Sequence, residues 1–313
     1  MIEQFKIDVS KGLSSNPKFL LSKYFYDERG SKLFVEIMNA PEYYLTNAEH
    51  EILRNQAGEI VSAFGMNGEH FELVELGAGD GTKTLELLRA LEGKYVFDYM
   101  PIDISQDALD NLEIRLQKEV PGVTVKTQHG MYFAVLDQIK AIHHPMVILF
   151  LGSNLGNMVD EKAHDFMAQL AHAMTSGDKL LLGVDLKKSK DIVLPAYNDA
   201  AGITSQFNLN LLRRINQELG ANFLLEQFEH APKYDEKTGI AESYLKSLVE
   251  QEVFIADLNK SYHFSEGELI HMEISRKYDE QILEKILSGT GLRIKHVFQD
   301  SKNYFADFVL EKY

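Results

Sequence analysis

A glycine-rich turn lies between an apolar stretch and a helical pattern, and its residue types suit a small charged ligand. The turn runs from Glu75 to Gly81 with the sequence ELGAGDG, directly after the apolar stretch Phe71 to Val74. Glycines are required in such a turn because the backbone bends sharply and a ligand must approach it closely. A strand, a glycine-rich turn and a helix together predict the first crossover of a nucleotide-binding α/β fold.

The spacing of the glycines favours S-adenosylmethionine (SAM) over a dinucleotide. Gly77, Gly79 and Gly81 form G-x-G-x-G, and Thr82 stands where a dinucleotide fingerprint has its third glycine. The run also lacks the G-K-[ST] ending of a phosphate-binding loop. SAM has no phosphate, so its site needs close backbone approach and carboxylates, and Glu75 could face its cationic end. A dinucleotide site and a purely structural turn are the alternatives that this turn leaves open.

A second acidic residue strengthens the prediction of a SAM site. Asp103 ends the next predicted strand, which begins at Tyr95. An acid about 20 residues after a glycine turn commonly bonds the ribose hydroxyls of a nucleotide. The competing interpretation is that Asp103 caps the helix that begins near Gln106, but Ser105 can take that role. We therefore expect Asp103 to bind the ligand.

The composition excludes several classes of protein and site. The chain has 313 residues, 45% of them apolar, enough for one large or two modest domains. It contains no cysteine, which excludes disulfides, thiolate metal sites and cysteine nucleophiles. A net charge of −15 disfavours nucleic acid as a partner. We expect no membrane span, no signal peptide and a cytoplasmic location, and the histidine spacing predicts no metal site.

Alternating strand and helix patterns place these residues in a doubly wound sheet from about residue 71 to 186. Apolar or β-branched runs continue after Asp103, and helical patterns lie between them. From residue 244 to 277 the pattern alternates instead, as in a meander, and a closing hairpin follows near the end of the chain. The fold class is α/β, with a Rossmann-like sheet and an inserted second α+β domain.

The same patterns divide the chain into three parts. Residues 61–186 and 278–313 are predicted to form the ligand-binding Rossmann-like domain. Residues 187–277 are predicted to form an inserted substrate domain. Residues 1–60 carry helices and no glycine motif, and we expect them to pack with the insertion.

Further motifs stand in a fixed order along the chain. They are Tyr24-Phe25-Tyr26-Asp27-Glu28-Arg29-Gly30, Pro41-Glu42-Tyr43-Tyr44-Leu45-Thr46, Phe150-Leu151-Gly152-Ser153-Asn154-Leu155-Gly156-Asn157, Ala196-Tyr197-Asn198-Asp199, Phe207-Asn208-Leu209-Asn210-Leu211-Leu212 and Glu273-Ile274-Ser275-Arg276-Lys277-Tyr278. Together they resemble the histidine-specific SAM-dependent Nα-methyltransferase family, which supplies the first enzyme of ergothioneine biosynthesis. The resemblance covers about residues 24 to 278. It implies a class I SAM-dependent methyltransferase fold.

The resemblance implies an activity and a substrate site. Members of the family methylate the α-amino nitrogen of L-histidine, up to the trimethylated betaine hercynine. It implies that Asn157 and Tyr197 bind the substrate carboxylate and that Tyr43 lines the same pocket. It also implies that Glu273 and Ser275 bracket the imidazole.

The resemblance likewise implies a set of SAM-binding residues. Gly77, Gly79 and Lys83 belong to the glycine-loop region, and Asp103 lies at the ribose. Tyr26 lies near the methionine part of SAM, and the adenine side falls at Gly130 and Met131, where the family often has an acid in place of Met131. Tyr26 and Tyr43 are candidates for residues near the proton that leaves the amine.

One departure from the family leaves the substrate open. Ser243 stands where histidine enzymes of the family commonly carry a methionine that helps to wall the substrate side chain. The first hypothesis is therefore a histidine Nα-methyltransferase. The alternatives are a SAM-dependent N-methyltransferase of another amino acid or small amine, and a noncatalytic SAM-binding regulatory protein.

Overall fold

The computed structural model describes residues 2–66, 68–79, 81–140 and 144–313. The chain forms two compact units. The first comprises Met1–Tyr44 and Lys188–Arg276, and the second comprises Leu45–Lys187 and Lys277–Tyr313. Each unit is therefore built from two separate stretches of the chain.

The described helices and strands are numbered in chain order. The helices are α1 (Ile2–Ser14), α2 (Glu28–Met38), α3 (Tyr44–Ala63), α4 (Thr84–Leu91), α5 (Gln106–Glu119), α6 (Tyr132–Lys140), α7 (Asp160–Ala173), α8 (Lys190–Ala196), α9 (Ile203–Leu219) and α10 (Glu280–Leu287). The strands are β1 (Lys18–Phe19), β2 (Phe71–Leu76), β3 (Phe97–Asp103), β4 (Thr124–Val125), β5 (Gln128–His129), β6 (Met146–Phe150), β7 (Lys179–Asp185), β8 (Phe228–His230), β9 (Lys233–Asp235), β10 (Ile240–Ser247), β11 (Gln251–Ile255), β12 (Lys260–Phe264), β13 (Leu269–Arg276), β14 (Leu292–Gln299) and β15 (Phe305–Lys312).

The second unit is an eight-stranded, mostly parallel sheet. Its strand order is β14-β15-β7-β6-β2-β3-β4, and β5 also pairs with β3. The strands β2, β3, β6 and β7 are parallel, whereas β15 runs antiparallel to both β7 and β14. The residues of β2 and β6 are buried throughout, as expected of central strands covered on both faces. The predicted Rossmann-like sheet with an antiparallel closing pair is confirmed.

Helices cover both faces of this sheet, and each face has its own apolar core. One core includes Ile148, Leu170 and Leu283, and the other includes Ile52, Leu73 and Leu88. The strand order reverses between β2 and β6, and because β2, β3 and β6 are parallel, their carboxyl ends share one edge of the sheet. In doubly wound sheets, ligands bind at such an edge.

The first unit has a smaller, mixed sheet. Its order is β1-β13-β10-β8, β9 also pairs with β10, and β11 and β12 form a separate hairpin. β10 and β13 are antiparallel, whereas β1 joins β13 in parallel. Its core includes Phe5, Leu211 and Ile270, so α1, α9 and β13 pack into the same core.

The boundary of the N-terminal part lies earlier than the sequence predicts. Residues 1–60 were expected to pack with the insertion, but the first unit takes only Met1–Tyr44 from this region. Ile52, Leu53 and Ile60 of α3 are buried in a core of the second unit. The helical pattern alone cannot tell which of two cores an apolar helix face will join. Among the described residues, no helix is both long and apolar enough to cross a bilayer.

Candidate functional site

The glycine loop follows β2 and has the backbone geometry that only glycine adopts readily. Gly77, Gly79 and Gly81 have φ angles of 75°, 56° and 68°. A Cβ atom on Gly77 would lie 2.7 Å from the hydroxyl oxygen of Tyr132, which is too close. Gly77 is therefore required both by its positive φ and by the packing of Tyr132.

Glu75 supports this loop from inside the protein. It is 3% exposed, and its carboxylate accepts hydrogen bonds from the Thr84 hydroxyl at 2.6 Å and from the Tyr99 hydroxyl. Burial raises the pKa of Glu75 to about 7, although both hydrogen bonds oppose that rise. The side chain thus ties β2 to β3 and to the start of α4. Its predicted contact with SAM stays a prediction, since both oxygens already have protein partners.

Lys83, at the start of α4, is held by an acid from α3. Its Nζ pairs with Oε2 of Glu49, which is itself fully buried, while Oε1 of Glu49 accepts the backbone N–H of Gly152 at 2.6 Å. Burial opposes the positive charge of Lys83, but Glu49, Asp307 and Glu75 outweigh it and raise the lysine pKa. Nζ also lies 3.4 Å from the Cβ position of Gly152, which follows β6. The ammonium group therefore lies beside the carboxyl ends of the central strands.

Asp307 of β15 lies in the same charged cluster. It is fully buried, and neither carboxylate oxygen has a hydrogen-bond partner among the described residues. Burial, and then the nearby negative charge of Glu49, raises the pKa of Asp307 well above its usual range, against the opposing effect of Lys83. Glu49, whose Oε2 contacts Nζ of Lys83, is the counter-ion of that lysine.

Asp103, Gly130 and Met131 come together at the end of β3. The backbone N–H of Gly130 donates to the Asp103 carbonyl at 3.0 Å, because β5 pairs with the last residues of β3. Oδ1 of Asp103 accepts the N–H of Ser105 at 2.9 Å, and Ser105 itself caps α5 through a bond from the Ala108 N–H. The predicted cap at Ser105 is confirmed. Met131 is 76% exposed.

Tyr132 connects this corner to the glycine loop, and the sequence analysis did not identify it. Its hydroxyl lies against Gly77, and burial followed by the charges of Asp103 and Glu75 raises its pKa. Glu49 and Asp307 were also missed as functional residues. Each of these three residues reaches the loop from an element distant in sequence.

In the first unit, β10 and β13 bring three predicted substrate residues onto neighbouring positions. Ser243 is paired with Glu273 across the two strands, and Ala241 is paired with Ser275. Glu273 and Ser275 are two residues apart, so they share one face of the sheet. The register shifts between Ser243 and Tyr244, which marks a bulge in β10. Ser243 and Ser275 are 4% and 8% exposed.

Tyr197 completes this polar group. Its hydroxyl lies 2.7 Å from Oγ of Ser275, and its carbonyl oxygen lies 2.8 Å from Nε2 of His230. It follows α8, which ends at Ala196. The side chain of Tyr197 is thus held at its hydroxyl, and its backbone is held at the carbonyl oxygen.

Tyr26 and Tyr43 belong to the same unit and interact electrostatically with this group. The ring of Tyr26 packs edge-on against Phe34 and Phe207, with centroids 5.4 and 5.6 Å away. Asp27 caps α2 and also accepts a bond from the Asn210 side chain at 2.8 Å, which fixes the segment to α9. Tyr26 is 45% exposed as a whole, but the protein around its phenol end, followed by the charges of Glu273 and Tyr43, raises its pKa above the usual range.

The predicted residues therefore fall into two groups, one in each unit. The first unit holds Tyr26, Tyr43, Tyr197, Ser243, Glu273 and Ser275. The second unit holds Glu75, Gly77, Gly79, Lys83, Asp103, Gly130, Met131 and Asn157. Asn157 is exposed at the end of a short 3-10 helix, Asn154–Asn157, that follows β6. Its predicted contact with the substrate stays a prediction.

Comparison with known proteins adds a family and several relatives. A family model described as "Histidine-specific methyltransferase, SAM-dependent" matches residues 5–312. A histidine N-alpha-methyltransferase of Mycolicibacterium smegmatis is 36% identical over 304 residues, which cover 97% of this chain and 93% of the relative. Ergothioneine biosynthesis protein 1 of Neurospora crassa is 33% identical over 88% of this chain and 31% of its own length. An L-tryptophan methyltransferase of Psilocybe serbica is 28% identical over 94% of this chain and 89% of its own.

Proposed function

Because this chain belongs to the histidine-specific, SAM-dependent methyltransferase family, we propose that it methylates the α-amino nitrogen of L-histidine, up to the trimethylated betaine. The observation that carries the choice of substrate is the polar group of Glu273, Ser275 and Tyr197 in the first unit. A site for an apolar side chain would not place a carboxylate and two hydroxyls side by side.

The residues of the second unit fit SAM. Lys83 supplies a positive charge near the ends of β2 and β6, and a SAM carboxylate is its proposed partner. Asp103 has one oxygen engaged by the Ser105 N–H, and its proposed partners are the ribose hydroxyls. Gly130 and Met131 lie beside it and are proposed to face the adenine. The turn at Gly77 permits close approach of the backbone.

Methyl transfer requires little from the protein beyond positioning and exclusion of water. SAM supplies a methyl carbon bound to a sulfonium. The amine nitrogen forms a bond to that carbon, the carbon–sulfur bond breaks, and its electron pair stays on sulfur. The amine must first lose its proton to expose a lone pair. A nearby sulfonium charge lowers the amine pKa and so favours this loss.

Tyr26 is a poor general base for this proton. Its raised pKa keeps the phenol protonated at neutral pH, so its proposed role is a hydrogen bond that orients the amine. Two tyrosines are predicted near the leaving proton. Tyr26 is not proposed as the base, but its proposed contact with the amine is kept.

Glu273 is proposed to select histidine by accepting a hydrogen bond from an imidazole N–H. Against leucine or phenylalanine this carboxylate would lose that bond, and sites built around polar groups reject apolar analogues by up to about 10⁴-fold. Glu273→Ala should therefore lower kcat/KM for histidine relative to phenylalanine while leaving the SAM dissociation constant nearly unchanged.

The matched control is Glu252→Ala, which removes an exposed carboxylate from β11 in the same unit. Steady-state kinetics on both amino acids and calorimetry with SAM decide the outcome. An unchanged ratio of kcat/KM values in Glu273→Ala would contradict the proposed role of Glu273.

Another amino acid is the second candidate, and Ser243 is the observation that favours it. Ser243 lies opposite Glu273, and its short side chain leaves room where the family commonly has methionine. The similarity to a relative named as an L-tryptophan methyltransferase makes an indole substrate a concrete alternative. A single reaction that contains both histidine and tryptophan distinguishes these two candidates, because the methylated product of the preferred substrate accumulates first.

A further inference from the structure

Three neighbouring strands of the second unit begin close together at the edge of the sheet opposite the glycine loop. Glu72 of β2 is paired with Met146 of β6 and with Asp98 of β3. His70 stands two residues before Glu72, and His144 stands two residues before Met146. Because alternate residues project to the same side and neighbouring strands are in register, these side chains converge.

The distances confirm that two histidines and a carboxylate meet. Nδ1 of His144 lies 2.9 Å from Oε1 of Glu72, and the rings of His70 and His144 stand edge-on with centroids 4.6 Å apart. One possible donor atom from each of His70, Glu72 and His144 lies within 4.8 Å of the other two. Donor atoms this close together could bind one metal ion.

A buried oxygen of Glu72 provides an independent sign of a missing ligand. Glu72 is 2% exposed, and its Oε2 has no hydrogen-bond partner within the described ranges. A buried carboxylate oxygen without a donor is costly. A bound cation would remove that cost.

Asp98 adds a feature that is common around metal-bound histidines. Its Oδ2 lies 3.2 Å from Nε2 of His70 and 2.6 Å from Nζ of Lys126. A carboxylate bonded to one ring nitrogen fixes the orientation of the ring and leaves the other nitrogen for a metal.

We propose that His70, Glu72 and His144 bind a divalent transition metal of the zinc class. Two imidazoles and one carboxylate form a ligand set that zinc accepts, with a fourth position left for water. Imidazole ligands favour Zn²⁺ or Co²⁺ over Mg²⁺ and Ca²⁺. His144 also lines a cavity of about 380 Å³, together with Phe64, Glu69 and Asp178, which offers a route for the ion.

The metal would link the beginnings of β2 and β6 and take no part in methyl transfer. His70 and His144 precede these strands and Glu72 is the second residue of β2, whereas the glycine loop and Gly152 follow the strands. The histidine spacing along the chain predicts no metal site, and His70 and His144 lie far apart in the sequence. Strand register, which sequence spacing does not reveal, brings them together.

The test uses the full chain without an affinity tag, stripped of metal by a chelator and titrated with Zn²⁺. We expect one saturable site per chain, the visible absorption of a four-coordinate complex when Co²⁺ replaces Zn²⁺, and no competition from Mg²⁺. His70→Ala and His144→Ala should each weaken Zn²⁺ binding by about 100-fold. His296→Ala, an exposed histidine on β14, is the matched control and should bind like the unchanged protein.

A second measurement guards against variants that fold poorly. Zn²⁺ should raise the midpoint of thermal unfolding of the unchanged protein and of His296→Ala, but not that of His144→Ala. Absence of a saturable site overturns the proposal, and so does binding that survives both His70→Ala and His144→Ala unchanged.

Discussion

At the scale of residues, the acids near the glycine loop differ in the groups that surround them. Glu49 faces Lys83 and a backbone N–H, which stabilise its negative charge. Asp307 and Glu75 are equally buried, and burial raises the pKa of both. Sequence motifs drew attention to Glu75 but assigned no role to Glu49 or Asp307. Their importance follows from tertiary contacts that no local pattern encodes.

Glu75 should make the free energy of unfolding decrease as the pH rises. Its folded-state pKa of about 7 lies above its ordinary value of 4.5, so the folded protein binds the proton more tightly than the unfolded chain. The resulting stabilisation is complete below about pH 4.5 and is lost as pH rises to about 7. Glu75→Gln should remove this dependence, on the order of 3 kcal/mol of unfolding free energy across that range.

Urea unfolding over this pH range measures the difference between Glu75→Gln and the unchanged protein. The pH dependence that Asp307 contributes is present in both proteins, so it cancels when one stability curve is subtracted from the other. Glu284→Gln, on the exposed side of α10, is the control. Parallel curves for Glu75→Gln and the unchanged protein would show that burial does not raise the pKa of Glu75 on folding.

Glu49 should act as a positioning residue for Lys83. Glu49→Gln removes the counter-ion of a largely buried ammonium, which should lower the unfolding free energy on the order of 3 kcal/mol and weaken SAM binding. The control is Glu28→Gln, which removes one partner of the exposed ion pair between Glu28 and Lys32 on α2. It should change neither the unfolding free energy nor the affinity for SAM. Denaturation together with SAM calorimetry checks both effects. A Glu49→Gln variant that bound SAM normally would refute the positioning role.

At the scale of elements, strands with strong apolar runs were predictable and short or irregular ones were not. The strand β7 lies inside the doubly wound sheet predicted from about residue 71 to 186, and its residues Leu180 to Val184 form a buried apolar run. β1 was missed, since two residues carry no periodic signal and its pairing with β13 is purely tertiary. The helix α6 was also missed, although it carries Tyr132 against the glycine loop.

The glycine loop should tolerate alanine differently at two positions. At Gly79 the added methyl group meets no atom within 4 Å, so only the positive φ is unfavourable, by about 1 kcal/mol. At Gly77 the methyl group also clashes with the Tyr132 hydroxyl. Gly77→Ala should therefore weaken SAM binding more than Gly79→Ala does.

Replacing the obstructing hydroxyl tests the cause directly. The next atom of Tyr132 lies 3.8 Å from the Cβ position, an ordinary contact, so Tyr132→Phe should recover part of the loss in the Gly77→Ala background. Calorimetric titration with SAM compares the variants. Equal losses of SAM affinity in Gly77→Ala and Gly79→Ala would mean that the packing of Tyr132 does not restrict the loop.

At the scale of the whole molecule, the sheet and its order along the chain followed from the sequence, whereas the division of the N-terminal region did not. α3 was grouped with the insertion because both are helical, yet its apolar face is buried in the second unit. The family motifs supply residues to both units. Their functional roles depend on distances that sequence order cannot give.

The position of the transferred methyl group tests the central claim most directly. The chain is incubated with equal amounts of L-histidine, L-tryptophan and L-phenylalanine and with SAM carrying a ¹³C-labelled methyl group, and the products are examined by NMR and mass spectrometry. We expect label on the α-amino nitrogen, in products that carry one to three methyl groups, and none on the imidazole. Label on a ring nitrogen, or faster labelling of tryptophan or phenylalanine in the same mixture, would contradict it.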